Sequence, residues 1–518
     1  MAPCLMIQGT SSAVGKSVLA TAFCRLFARA GYRVAPFKSQ NMALNSSVTV
    51  DGGEIGRAQA AQAEAAGIEP TVDMNPILLK PEADHRSQVI VRGRPVASVG
   101  YREYGRMKPA LLGIVEESLE RLRRAHDLVI VEGAGSPAEI NLREGEIVNM
   151  RIARLAGARV LLIGDIDRGG VFAAFVGTLE LLQAEDRARV AGFLVNKFRG
   201  DASLLEPGFD ELTARTGVPV LGVVPYIAES LVPAEDSLNL EDLERSGGPA
   251  ALDIAIARLP RIANFDDFEP LAREPGVRLR FARIPEELGG ADLIVLPGSK
   301  NTAEDLDWLR QSGLADAIMA AAATGRPVVG ICGGYQMLGT ALHDPDHVES
   351  AAATTPGLGL LPVVTWLERE KTTVRVHGRV AEASGPFGSA AGAEIDAYEI
   401  HVGRTEVESA RWPFQIVSRG GAPLNEREGA VNDAGNVVGT YLHGLFANDE
   451  LRRVLLVHVA ARRGRQPDAR WGAPSSAAAR YDRLADVVAS SCDLVAIGKL
   501  VGLELVNDAA TARGRERA

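Results

Sequence analysis

Two groups of residues in this chain are spaced for chemistry. Residues 9–17 read GTSSAVGKS, and residues 328–339 read VVGICGGYQMLG around Cys332. In the first, Gly15, Lys16 and Ser17 supply the ending of a phosphate-binding loop. There, successive backbone N–H groups at a strand-to-helix turn surround phosphate oxygens while a lysine and the helix N-terminus add positive charge. Thr10 takes the first position of the pattern G-x-x-x-x-G-K-[ST], and the glycine stands one residue earlier, at Gly9. The apolar run CLMIQ predicts a strand before the loop, and Leu19, Ala22, Phe23, Leu26 and Phe27 predict one apolar face of a helix after it. ATP is the expected ligand, with Mg²⁺, which takes a hydroxyl, one or two carboxylates and phosphate oxygens. The candidate metal ligands are Ser17, Glu132 at the end of DLVIVEGAG, and Asp165, which with Asp167 closes RVLLIGDIDRGG. The competing use of such acids is to cap the next helix or to pair with Arg168. Asn196, in VNKFRGD, ends another apolar run and is placed to read the edge of a bound base.

The second group has the form of a nucleophile elbow. The run ending at Ile331 is a strand, and Gly333 and Gly334 permit the tight turn that lifts a thiol clear of a sheet. A helix N-terminus favours the thiolate form of a cysteine, and the Gly333 N–H is placed to stabilise an oxyanion. The loop LPGSKNT, through Gly298, is the expected source of the other oxyanion donor. His443 in GTYLHGLF is the expected base, and His401 in YEIHVGRT is the competitor. A phosphate loop and a cysteine elbow in one chain point to a carboxylate that is activated by phosphorylation and then captured by ammonia, which is ATP-dependent amidation.

These residues need a frame. The chain has 518 residues, more than one hydrophobic core usually supports. The net charge is −10 with no long basic run, which argues against nucleic-acid binding and for a small-molecule substrate. The four cysteines show no CxxC spacing and no disulfide framework. No basic leader and no membrane-length apolar run is found, so a cytoplasmic protein without membrane contact is expected. Apolar runs alternate with helical patterns from Cys4 to about Tyr226, and again from LDIAIARL to RPVVGIC with a helix over residues 314–323. The fold class expected is α/β, two doubly wound, mainly parallel-sheet domains and a helical C-terminal tail. The boundaries fall at 1–236 for the first domain, 237–250 for a polar linker, 251–450 for the second domain and 451–518 for the tail. Residues 477–501 read as helical, and residues 384–392 as a loop.

The elbow and His443 resemble the class I glutamine amidotransferase family, which implies hydrolysis of L-glutamine by Cys332 and His443. In that family the histidine is usually followed by Pro-Glu, whereas here Gly444 and Leu445 follow it. A Cys-His pair, Glu399, or an orienting group from elsewhere therefore has to serve. The N-terminal half is similar to dethiobiotin-synthetase-like ligases, which form acyl phosphates. The combination resembles the glutamine-dependent corrinoid amidoligases of the cobalamin pathway over nearly the whole chain. The resemblance is carried by FKSQNMALNSSVTVDGGEIGRAQAAQAEAAG, VDMNPILLKP, GDIDRGGVFA, NKFRGD, LPGSKNT, GICGGYQMLG and YEIHVGRT. It implies amidation of carboxylates b, d, e and g of adenosylcobyrinic acid a,c-diamide, one ATP for each, with no tightly bound organic cofactor, and it leaves a homo-oligomer open. Gln40, Asn41 and Asn75, in the QNM and MNP segments, are the expected corrinoid contacts, with loop capping as the alternative. The related ligase that amidates carboxylates a and c, CTP synthase, and a partitioning-type ATPase switch are the competing readings.

Overall fold

The structure is a computed structural model, and it describes residues 1–83, 85–227, 231–233, 251–381, 385–474 and 476–505. In the N-terminal half, β1 (Cys4–Gly9) is wholly buried and leads through the glycine-rich loop into α1 (Lys16–Arg29). There follow β2 (Val34–Phe37), β3 (Gln40–Met42), a hairpin of β4 (Ser46–Val48) and β5 (Glu54–Gly56), and α2 (Arg57–Ala66). Next come β6 (Ile77–Ala83), β7 (Arg86–Val91), β8 (Arg94–Gly100) and the long helix α3 (Tyr101–Ala125). The half closes with β9 (Leu128–Glu132), β10 (Arg159–Asp165), β11 (Val190–Phe198) and β12 (Val220–Pro225). Its main sheet has the order β12-β11-β10-β1-β9-β2, and the pairings are parallel. Such strands are covered on both faces by crossover helices, which is why they read as continuous Val/Ile/Leu runs. A parallel sheet also gathers its strand C-termini at one edge, so the glycine loop, Glu132 and Asp165 emerge together. A small second sheet, β3-β6-β7-β8, carries Gln40 and Asn41.

The C-terminal half repeats the architecture. It contains β13 (Leu252–Ala257), β14 (Ile262–Ala263), β15 (Val277–Ala282), β16 (Leu293–Leu296), β17 (Gly298–Ser299), α4 (Thr302–Gln311), α5 (Leu314–Ala323), β18 (Val328–Ile331) and α6 (Gly333–Leu338). After these come β19 (Ala341–His343), β20 (Thr354–Pro356), β21 (Val363–Val380), β22 (Glu394–Val407), β23 (Phe414–Arg419), β24 (Ala422–Glu428), β25 (Ala430–Val431) and β26 (Val437–Thr440). The central sheet runs β15-β13-β16-β18-β26-β25, and its first five strands are parallel. Beside it lies a sheet that the apolar patterning does not predict, built on the long antiparallel pair β21 and β22. Its strands are amphipathic and exposed along much of their length, so they lack the apolar runs that mark the parallel cores.

The tail comprises α7 (Asp449–Arg462), α8 (Ala477–Ser491) and α9 (Leu494–Leu500). The stretch read as one helix is broken at Cys492, whose extended backbone forms a bridge with Gly222 on β12, after which Asp493 caps α9. Leu451, Leu455 and Val459 of α7 join the core of the C-terminal half, whereas Tyr481, Leu484, Val488 and Ile497 join the core beneath β1 and α1, so α8 and α9 cover the N-terminal half. Residues 385–390 form a 3₁₀ turn where a loop was expected. The polar stretch read as a linker lies outside the described residues, as does Ser384.

Candidate active sites

The phosphate loop forms as its residue types require. Gly15 has φ 99°, a left-handed backbone, and a Cβ there would sit 2.2 Å from Nδ2 of Asn196. That Nδ2 donates to the Val14 carbonyl at 2.7 Å, so Asn196 buttresses the loop. Thr10 N donates to Ile163 O at 2.9 Å, fastening the loop's first residue to β10. The Lys16 ammonium donates to the carbonyls of Ser11 and Gly135 at 3.0 and 3.1 Å. Ser17 Oγ donates to Glu132 Oε1 at 2.9 Å, which brings the hydroxyl and the carboxylate expected for Mg²⁺ into contact. Glu132 also receives Lys38 Nζ at 2.8 Å and Gln62 Nε2, from α2, at 2.6 Å. Asp165 ends β10 on the other side of β1 and pairs with Lys197 at 2.9 Å. Hard oxygen donors on both flanks of the lysine suit Mg²⁺.

Of the residues assigned to the corrinoid, Asn75 uses every polar atom on backbone: Oδ1 accepts from Gly56 N, and Nδ2 donates to Lys38 O and Ile77 O. Loop capping, the alternative role for it, is what the geometry displays. Asn41 is buried and donates to Gln59, and Gln40 accepts from the Tyr104 hydroxyl.

The second site is built on an elbow. Cys332 has φ 53° and ψ −109°, a strained backbone for a residue with a side chain and typical of a residue forced outward at a catalytic turn. A Cβ on Gly334 would lie 2.1 Å from Leu296 O, so only glycine lets the elbow press onto β16. Gly333 packs against Ser299 N, and Gly298 lies against His443, where an added Cβ would approach Cε1 to 3.2 Å. The expected oxyanion segments therefore flank the nucleophile and the base. The Cys332 thiol donates to Ile400 O at 3.3 Å and is among the groups that act on the His443 imidazole. His443 Nδ1 meets Asp267 Oδ2 at 2.7 Å, and Asp267 Oδ1 accepts from Gly444 N at 2.7 Å. Tyr398 stacks on the imidazole with ring centroids 5.3 Å apart. Burial disfavours the imidazolium, but the Asp267 carboxylate and the Cys332 thiol outweigh it and raise His443 to about 10.

The alternatives for these roles are engaged elsewhere. Burial lowers His401 to about 4; its Nδ1 donates to Gly403 O at 3.0 Å, and its ring stacks on Tyr441 at 3.8 Å. Both oxygens of Glu399 face Arg419, at 3.1 and 3.2 Å, so the carboxylate beside His443 is Asp267 and not Glu399. Asp267 lies in the short 3₁₀ turn Phe265–Phe268. Its only signal in the sequence was the acidic pair in NFDDFEP, 176 residues before His443.

A P-loop ligase half joined to a glutamine amidotransferase half is the class of protein this fold and these sites define. Residues 5–238 match a family described as a CobQ/CobB/MinD/ParA nucleotide binding domain, and residues 253–451 match a CobB/CobQ-like glutamine amidotransferase domain. The chain is 56% identical to a cobyric acid synthase of Sorangium cellulosum, over 96% of this chain and 99% of that protein. It is 51% identical to one from Dehalococcoides mccartyi, over 95% and 97%, and 53% identical to one from Moorella thermoacetica, over 97% and 98%. The chain belongs to the cobyric acid synthase family of cobalamin biosynthesis, and it is an ATP-dependent amidoligase.

Proposed function

We propose that this enzyme amidates the b, d, e and g carboxylates of adenosylcobyrinic acid a,c-diamide, drawing nitrogen from L-glutamine and one ATP for each amide. The Cys332–His443–Asp267 arrangement is the observation that carries the reading. Cys332 Sγ attacks the side-chain amide carbon of glutamine, and the developing oxyanion is received by N–H groups of the segments at Gly298 and Gly333. The imidazolium of His443 protonates the leaving nitrogen, ammonia departs, and water cleaves the γ-glutamyl thioester to glutamate with His443 as base. Asp267 fixes the imidazole tautomer and supports its positive form.

In the ligase half the corrinoid carboxylate attacks the γ-phosphorus of ATP, giving an acyl phosphate and ADP. Ammonia then displaces phosphate to leave the amide. Lys16 and the loop N–H groups hold the phosphates, with Thr10, Gly15 and Asn196 shaping the loop. Ser17 and Glu132, with Asp165 across β1, would hold Mg²⁺, which supplies positive charge to the phosphates when bound. Gln40 and Asn41 of β3 are the residues assigned to the corrinoid. Incubation of the purified enzyme with the a,c-diamide, ATP, Mg²⁺ and glutamine is expected to give four successive amide mass shifts. Amidation of the a and c positions of cobyrinic acid instead would assign the enzyme to the sibling reaction, and equal glutamate release by wild type and Cys332→Ala would sink the glutaminase reading.

A further inference from the structure

The turn that supplies Asp267 carries a second carboxylate, Asp266, immediately before it. Two adjacent acids facing a low-dielectric interior oppose one another's ionisation, yet His443 needs Asp267 as an anion. Asp266 Oδ1 is buried without a hydrogen-bond partner, and Oδ2 meets Arg57 Nε at 3.0 Å. Arg57 belongs to the other half of the molecule. It is the first residue of α2, the helix whose Gln62 holds Glu132 beside the phosphate loop, and it also pairs with Glu64 at 2.9 Å. We propose that Arg57 of the ligase half is a positioning residue of the glutaminase, neutralising Asp266 so that Asp267 stays ionised beneath His443. The inference rests on the glutaminase reading above.

The surroundings leave Arg57 that task. Asp266 is faced by Arg57, Asp267, Glu269 and His443, and Tyr398 stands over both aspartates with its hydroxyl accepting from Asn264. Glu269 is paired with Arg273, and Arg57 is faced by Glu64, Asp266 and Tyr481. Burial pushes Asp266 up to about 7 even with the guanidinium and His443 facing it, and Arg57 is the cation in direct ion-pair contact. Removing it leaves Asp266 without its ion-pair partner, so that two adjacent buried carboxylates compete for the positive charge of His443.

The test measures glutamate release and the pH profile of Cys332 alkylation by iodoacetamide in the full-length enzyme, with Cys332→Ala as the control that verifies the glutaminase itself. Arg57→Gln is expected to lower kcat/KM for glutamine by about tenfold or more, the equivalent of one unit of ionisation, and to move the rise of the alkylation profile to higher pH. Arg57→Lys is expected to restore most of the activity. The double variant Arg57→Gln/Asp266→Asn is expected to recover as well, because it removes the uncompensated charge along with its partner. If Arg57→Gln is insoluble, the return of soluble, active enzyme in the double variant supports the proposal equally. An Arg57→Gln enzyme indistinguishable from a Cys332-dependent wild type, or a double variant no better than the single, overturns the proposal.

Discussion

At the scale of single residues, the chemistry depends on how a buried environment sets the charge of His443. A neutral Asn at 267 keeps the shape and loses the charge, so Asp267→Asn is expected to reduce glutaminase kcat by about 10³- to 10⁴-fold, as measured by glutamate release. Ammonium-dependent amidation is expected to continue in that variant. The sign of the pH effect follows from the raised value. His443 titrates near 10 in the folded protein against 6.5 when free, so its protonated form stabilises the fold fully below about 6.5, and that contribution is lost as pH rises through about 10. The alkaline limb of glutaminase activity is expected near pH 10, and in Asp267→Asn it should fall toward or below 6.5, because burial then dominates. Cys332, His443 and Lys16 were legible in the sequence because each sits within a local turn pattern. Asp267 was not, since a carboxylate that orients a histidine needs only proximity in space, and no spacing rule joins residues 176 apart.

At the scale of elements, the parallel strands and their helices were readable because burial on both faces leaves continuous apolar runs. Residues 314–323 form the helix their composition implied. The alternation of Glu399 and His401 marks a strand in β22, whereas β21 carries no sustained apolar face and gives no such signal; β22 brings the Ile400 carbonyl to Cys332. The elbow itself rests on glycine at a place of close approach. Gly334→Ala would drive a methyl group to 2.1 Å from a backbone carbonyl of β16, which has no rotamer with which to move away. The expected result is a loss of about 1–3 kcal/mol in the unfolding transition of the C-terminal half, together with slower alkylation of Cys332.

At the scale of the whole molecule, the two halves are joined by side-chain contacts. Lys371 reaches Glu54, Lys300 meets Glu82 at 2.9 Å, Asn264 donates to Ser46 O, and Arg375 donates to Val48 O. The β4–β5 hairpin thus lies against the C-terminal half. The tail crosses back to the N-terminal half, where Leu484 is wholly buried. Leu484→Ala is expected to cost about 2–5 kcal/mol in the unfolding of that half, followed by denaturant titration, while the glutaminase transition stays in place. The sequence by itself determined the two chemistries, their supporting α/β frames and the class of reaction, because glycine turns, strand runs and helix starts are written in neighbouring residues. Only the tertiary structure decided which carboxylate lies beside His443, that Asn75 and Asn196 brace loops, which half each tail helix covers, and that Arg57 of one half pairs with Asp266 of the other. Each of those is a matter of distance between segments remote in sequence, fixed by packing and by the need of every buried charge for a partner.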